Sequence, residues 1–247
     1  MAVWTYDGTF AGFLTLCAAL ISNDEEPEAI GAEGELQNDL FRQSVAVATD
    51  ERRAEKMLEA IASRMSAESC GIIRRAFLSQ VPGIELLLWR YISFGRTTGA
   101  TVGRYLAHPA VAPVHRLARA VSREAHRLLG TVRFRETAGG YWYAPVDPAY
   151  HVLEIIAPHF ADRCPDMKWL IHDRKRDLAA AWNGEEWLVC RFDAEGMPPL
   201  SGAEELWTEL WKGYFTNLAI PERANPRLQR QHLPLRFRKY LTEISGV

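Results

Sequence analysis

The chain has 247 residues, 48% of them hydrophobic and 24% charged, with a formal net charge of -2. That mixture excludes disordered, collagenous and coiled-coil classes. The near-neutral sum hides a split, because residues 1–70 hold 13 acidic and 5 basic side chains while residues 71–247 hold 18 and 24. An acidic segment and a separate basic working face are therefore expected.

In chain order, residues 2–21 predict a short strand, a Tyr6-Asp7-Gly8 turn and a helix started by Thr9. Residues 22–39 carry seven acidic side chains and predict a solvated loop. Leu40 to Ala48 suits a strand. Thr49-Asp50 then caps a helix whose Met57, Leu58, Ile61 and Met65 recur at helical spacing. Two further helical runs fill 66–107, broken at Pro82-Gly83 and around Gly95–Gly103, and the run Ile84–Trp89 is apolar nearly all round. Residues 109–129 form the clearest amphipathic helix, with Val111, Val114, Leu117, Val121, Ala125 and Leu128 on one face.

The texture then changes. Strands are predicted at 131–137, 140–144, 169–174, 178–182 and 186–192, the last pair joined by an Asn183-Gly184 hairpin turn. A helix at 150–163 contains Pro158. A last helix starts at Ser201, where Ser-Gly-Ala-Glu204 reads as a capping box, and Leu206, Trp207, Leu210, Trp211, Tyr214 and Phe215 are expected to face inward. The expected class is α+β, a helical N-terminal half followed by an antiparallel sheet with flanking helices. A lobe boundary is placed at 108/109, so that 1–108 is mainly helical and 109–247 is α+β with a basic tail.

The four cysteines, Cys17, Cys70, Cys164 and Cys190, lack the close spacing of a metal ribbon or cluster site, so a protein with no metal or cofactor is expected. The apolar run Phe10–Ile21 is shorter than the ~20 residues that span a bilayer, which places the protein in the cytoplasm.

Chemistry gathers in the tail, where Glu222–Val247 holds six basic and two acidic residues with Phe237 and Tyr240 between them. Arginine forks suit phosphate oxygens and aromatic rings suit bases, so Arg223, Arg227, Arg230 and Arg236 are candidate phosphate contacts. Asn225, Gln231 and His232 are candidate nucleotide contacts. Arg133, Arg135, His172 and Arg174 form a second candidate cluster on the sheet. Arg116, Arg119, Arg123 and Arg127 make a basic stripe on the amphipathic helix. His172-Asp173 and His232 are the candidate acid-base residues, although consecutive strand residues point to opposite faces. No phosphate loop, nucleophile elbow or metalloprotease motif occurs.

The blocks Tyr6-Asp-Gly-Thr-Phe-Ala-Gly-Phe-Leu14, Gly130-Thr-Val-Arg-Phe-Arg-Glu136, Tyr143-Ala-Pro-Val-Asp-Pro148, Ala157-Pro-His-Phe160, Trp169-Leu-Ile-His-Asp-Arg174 and Asn225-Pro-Arg-Leu-Gln-Arg-Gln-His232 resemble an uncharacterised bacterial family of probable DNA-metabolism or DNA-repair proteins. The resemblance implies a partner of a radical-SAM DNA-modification protein, and a related form is fused to a uracil-DNA-glycosylase-like domain. The expected function is a nucleic-acid-binding accessory protein, acting on DNA or RNA beside a partner enzyme and away from membranes. The alternatives are a metal-independent DNA-processing enzyme and a purely structural partner subunit.

Overall fold

A computed structural model describes residues 2–34, 44–218, 225, 227–228, 231 and 233–243, with the backbone alone of Gly196 and Phe215. The chain divides into two compact units, Met1–Ser122 and Arg123–Val247. The division falls within a single helix, Ala112–Thr131, downstream of the 108/109 change of texture.

In the first unit, β1 (Val3–Tyr6) lies between two parallel neighbours, β2 (Ala29–Ala32) and β3 (Ser44–Ala46). The expected solvated loop thus contains a strand. Ala-Ile-Gly-Ala has little strand propensity of its own and is recruited by the register Trp4↔Ile30. Of the expected strand at 40–48, residues 40–43 lie outside the described residues. Helix α1 (Phe10–Asn23) starts where the Thr9 hydroxyl accepts the Gly12 amide at 2.9 Å. Asp7 holds that cap in place, accepting from the Thr9 amide and hydroxyl and, through its other oxygen, from the Thr49 hydroxyl at 2.7 Å. A Cβ on Gly12 would collide with the Asp7 carboxylate and the Thr49 hydroxyl, so glycine is required there. Helices α2 (Glu51–Arg64), α3 (Ala67–Phe77) and α4 (Ile84–Thr98) complete the unit. Phe13, Leu16, Leu20, Ile73, Leu88 and Ile92 are wholly buried in its core.

Helix α5 (Ala112–Thr131) buries Val114, Val121, Ala125 and Leu128, as its period predicts, and Val111 just before it is buried as well. Beyond it, five strands follow one another across a sheet in chain order: β4 (Arg135–Glu136), β5 (Trp142–Val146), β6 (Trp169–Asp173), β7 (Leu178–Trp182) and β8 (Trp187–Arg191). The class is α+β. The sheet is mixed rather than wholly antiparallel, because α6 (Leu153–Arg163) carries the chain back between β5 and β6 and makes that pair parallel. One sheet face, with Ala144, Trp169, Ile171 and Ala180, is buried together with the α6 residues Ile156, Ala157 and Phe160. Phe134 joins this layer through edge contacts with Phe160 and Trp169.

Helix α7 (Gly202–Leu218) corrects an expectation. Leu206, Trp207, Leu210, Trp211 and Tyr214 are exposed rather than inward, Trp207 at 63%. Only one half of the capping box closes. Ser201 Oγ accepts the Glu204 amide, while the buried Glu204 carboxylate accepts the Glu136 amide on the edge strand β4. The helix is thus attached through its first turn, and apolar periodicity alone could not say whether a core faced its aromatic stripe. The Phe215 side chain lies outside what is described.

Candidate functional site

The second sheet face is partly exposed, with His172 and Ala179 buried on it and Leu188 and Cys190 in solvent. Cross-strand register decides what stands on it: Arg135 on β4 is directly opposite Tyr143 on β5, and Pro145 is opposite His172 on β6. Paired residues share a face and alternate residues repeat it, so Arg135, Tyr143, Pro145, Leu170 and His172 lie on one side. Ala179, Leu188 and Cys190 continue that side across β7 and β8, where Leu188 and Cys190 are exposed.

At the centre of this face the Tyr143 hydroxyl and His172 Nδ1 are 2.8 Å apart. His172 is 3% exposed, its Nε2 has no hydrogen-bond partner, and its ring meets Phe192 edge-on at 5.0 Å. Burial, and then the charge of Arg174, hold His172 below the usual imidazole range. It is therefore neutral at pH 7, accepting from Tyr143 in one tautomer and donating to it in the other. Burial pushes the Tyr143 phenol up, so it stays protonated.

Where β5 and β6 end, Asp147 accepts from Lys239 Nζ at 2.7 Å and from the Tyr240 hydroxyl at 2.9 Å. Burial pushes Asp147 up, but those hydrogen bonds and the Lys239 charge outweigh it and leave the carboxylate below its ordinary value. Arg174 hydrogen-bonds Tyr240, which strengthens its hold on its proton. The loop after β5 is fixed from beneath. Arg176 donates to the carbonyls of Pro148 and Ala149, and the buried Glu124 carboxylate accepts the amides of Ala149 and Tyr150.

The structure brings together three of the four residues of the expected sheet cluster, Arg135, His172 and Arg174. Arg133 is drawn away by Glu243 at 2.8 Å. Asp173, wholly buried, pairs with Arg176 at 2.9 Å on the far side of the sheet from His172. In the tail, Arg236 pairs with Glu124 and lies over the Phe237 ring, and Asn225 accepts the Leu228 amide. Arg227 and Gln231 are exposed, whereas Arg223, Arg230 and His232 lie outside the described residues. On α5, Arg116, Arg119 and Arg123 are exposed and Arg127 is half-buried. Tyr143, Asp147 and Lys239 were not singled out from sequence. The alternation within Tyr143-Ala-Pro-Val-Asp147, which puts 143 and 147 on one face, was the signal that could have found two of them.

No group of three or more His, Cys, Asp or Glu side chains is placed to hold a metal among the described residues. No helix among them is long and apolar enough to cross a membrane. A family model defined as a domain of unknown function, DUF4130, matches residues 82–243.

The chain belongs to the DUF4130 family.

The matched span contains the whole candidate site, from Arg135 to Tyr240, and leaves out the Asp7–Thr9–Thr49 cap of the first unit. The DUF4130 match thus covers about two thirds of the chain. No curated protein matches it.

Proposed function

We propose that the chain binds single-stranded nucleic acid, in the first place DNA, on the Arg135–Tyr143–His172 side of the five-stranded sheet, as an accessory protein in DNA repair or modification. The observation that carries this is the sheet face shared by Arg135, Tyr143 and His172, with Arg174 exposed at the end of β6. A sheet face with an aromatic ring between guanidinium groups offers stacking to bases and charge to phosphates, the combination by which single strands are held. The resemblance of the sequence blocks to probable DNA-metabolism proteins supports the same reading. The exposed apolar side of α7 supports the part of it that calls for a protein partner, such as a radical-SAM or glycosylase-like enzyme.

A second reading, a metal-independent DNA-processing enzyme, is favoured by the Tyr143–His172 hydrogen bond, a phenol beside a buried imidazole. One experiment separates the two. Purified protein is incubated with intact and damaged oligonucleotides, single-stranded and duplex, and both retention and product are scored. Retention without product is expected, with a log K against log salt slope of roughly -2 if Arg135, Arg174 and Lys239 each meet a single-strand phosphate. Product that disappears in Tyr143→Phe would establish the enzyme, and no retention of any strand would remove the binding assignment.

A further inference from the structure

The first unit holds a cleft of about 340 Å³ lined by residues of α1, α2 and α4. Its floor is apolar, with Met57, Ile61, Met65 and Ile92 buried. Arg53, Lys56, Arg64 and Arg96 line it, and neither an aspartate nor a glutamate does. Residues 1–70 hold 13 acidic and only 5 basic side chains, yet three of those five, Arg53, Lys56 and Arg64, belong to this one cleft. None of the four cations is in an ion pair among the described residues.

Helix geometry brings them together. Positions 53, 56, 60 and 64 fall on one stripe of α2, and Glu51, Glu55 and Glu59 fall on its other faces. A Cβ on Gly95 would collide with Met65, so α4 packs closely against the end of α2. There Arg64 Nε donates to the Arg96 carbonyl at 3.0 Å. Arg53 Nη2 donates to the Ala18 carbonyl and the Ser22 hydroxyl, in the last turns of α1. These bonds take one nitrogen from each of the two forks. The side chains of Lys56 and Arg96 make no hydrogen bond among the described residues. Positive charges gathered in one cleft with no acid among them repel one another, and an anion relieves that repulsion.

The charges form a line. Arg53 and Arg64 are eleven residues apart on α2, about 16 Å at the helical rise. A stacked nucleic-acid strand carries one phosphate per about 3.4 Å, so that length holds about five of them. A lone phosphate or carboxylate meets only one end of the line.

We infer that this cleft tracks the sugar-phosphate backbone of a single nucleic-acid strand, as a second contact surface carried by the first unit. The inference rests on the reading of the chain as a single-strand binder. Arg53, Lys56, Arg64 and Arg96 each meet a phosphate, and no base is read. Arg53, Lys56 and Arg64 precede the span that the DUF4130 model matches.

The test follows a short fluorescent single strand by anisotropy across a salt series. The starting protein carries Arg135→Gln, Arg174→Gln and Lys239→Gln, so that the binding left is not that of the sheet. A log K against log salt slope of about -2.8 is expected, from about 0.7 for each of four contacts. Lys56→Gln with Arg96→Gln disturbs no hydrogen bond of the cleft and should bring the slope to about -1.4. Arg53→Lys with Arg64→Lys keeps the charges but removes the forks bonded to α1 and α4, and should leave the slope near its starting value. Purely structural arginines would give the opposite pattern. Circular dichroism of each variant establishes that it is folded. Strand binding that the unaltered chain shows and the triple variant lacks would overturn the cleft and leave the sheet surface standing. So would a slope that Lys56→Gln with Arg96→Gln does not change. No binding of any strand by the unaltered chain would overturn both. ATP and a glutamate oligomer are run as competitors, and either one binding as tightly as the strand would overturn the strand in favour of a nucleotide or an acidic peptide.

Discussion

His172 and Asp173 are consecutive on β6 and face opposite sides of the sheet, His172 against Tyr143 and Asp173 against Arg176. A strand makes this unavoidable, since successive side chains alternate. Asp173 therefore stands away from Tyr143, and its pairing with Arg176 ties the end of β6 to the loop that carries Asp147. Arg176→Ala would leave a wholly buried carboxylate without its cation and should cost about 3–5 kcal/mol. Urea unfolding of the variant checks this. A loss below about 1 kcal/mol would show that the pair does not hold the loop.

The state of His172 predicts how stability changes with pH. Burial first, and then Arg174, lower its folded value below the ordinary 6.5, so the unfolded chain takes up the proton more readily. Its contribution is complete above about pH 6.5 and is lost as pH falls below that towards the folded value. His115, lowered by burial and then by Arg119, acts with the same sign. His172→Asn should therefore flatten, without abolishing, the fall in Tm between about pH 7 and 5. Thermal melts across that range decide it, and an unchanged profile would mean that His172 titrates alike in both states.

Two tryptophans of similar size should respond very differently to truncation. Trp169 is 1% exposed in the layer formed with Phe134 and Phe160, so Trp169→Ala should cost about 3–5 kcal/mol. Trp211 is 42% exposed, and its indole nitrogen reaches Glu243 only at 3.3 Å. Trp211→Ala should cost about 1–2 kcal/mol, and denaturant midpoints of the pair measure the difference. Equal losses would place the α7 stripe back in a core.

Gly12→Ala tests the cap of α1. Its methyl group would meet the Asp7 carboxylate and the Thr49 hydroxyl, forcing one of them aside. A loss of about 1–3 kcal/mol is expected from the crowding, readable as a lower Tm. Thr49→Ala should be milder, because it removes one of the hydrogen bonds that Asp7 accepts and leaves the Thr9 cap itself intact.

The helices and strands were legible wherever a local pattern carried them. The α5 stripe from Val111 to Leu128, the Thr9 and Asp50 caps and the Asn183-Gly184 turn all stand where period and capping chemistry place them. What failed to show was whatever another element decides. Ala29–Ala32 becomes a strand because β1 is beside it, and the aromatic side of α7 stays outside because its attachment is made by Glu204. Of the site, Arg135, His172 and Arg174 were visible as basic residues on strands. Their meeting point at Tyr143 was not, because cross-strand register joins residues whose separation in the chain says nothing of their distance. The pairing of Arg133 with Glu243 was hidden for the same reason, since that partner comes from the far end of the chain.

The strand order β4 to β8 follows the chain, and this has a consequence for how the second unit comes together. Each strand pairs with the one made just before it, so apart from the α6 crossover between β5 and β6 every step of assembly closes a short loop and carries little entropic cost. The clips that finish the site are of another kind. Asp147 to Lys239 and Tyr240, and Arg133 to Glu243, join residues about a hundred positions apart, so they form only after the sheet stands. During synthesis the sheet can be complete while Asp147 still lacks Lys239 and Tyr240, and these contacts are the last part of the unit to form.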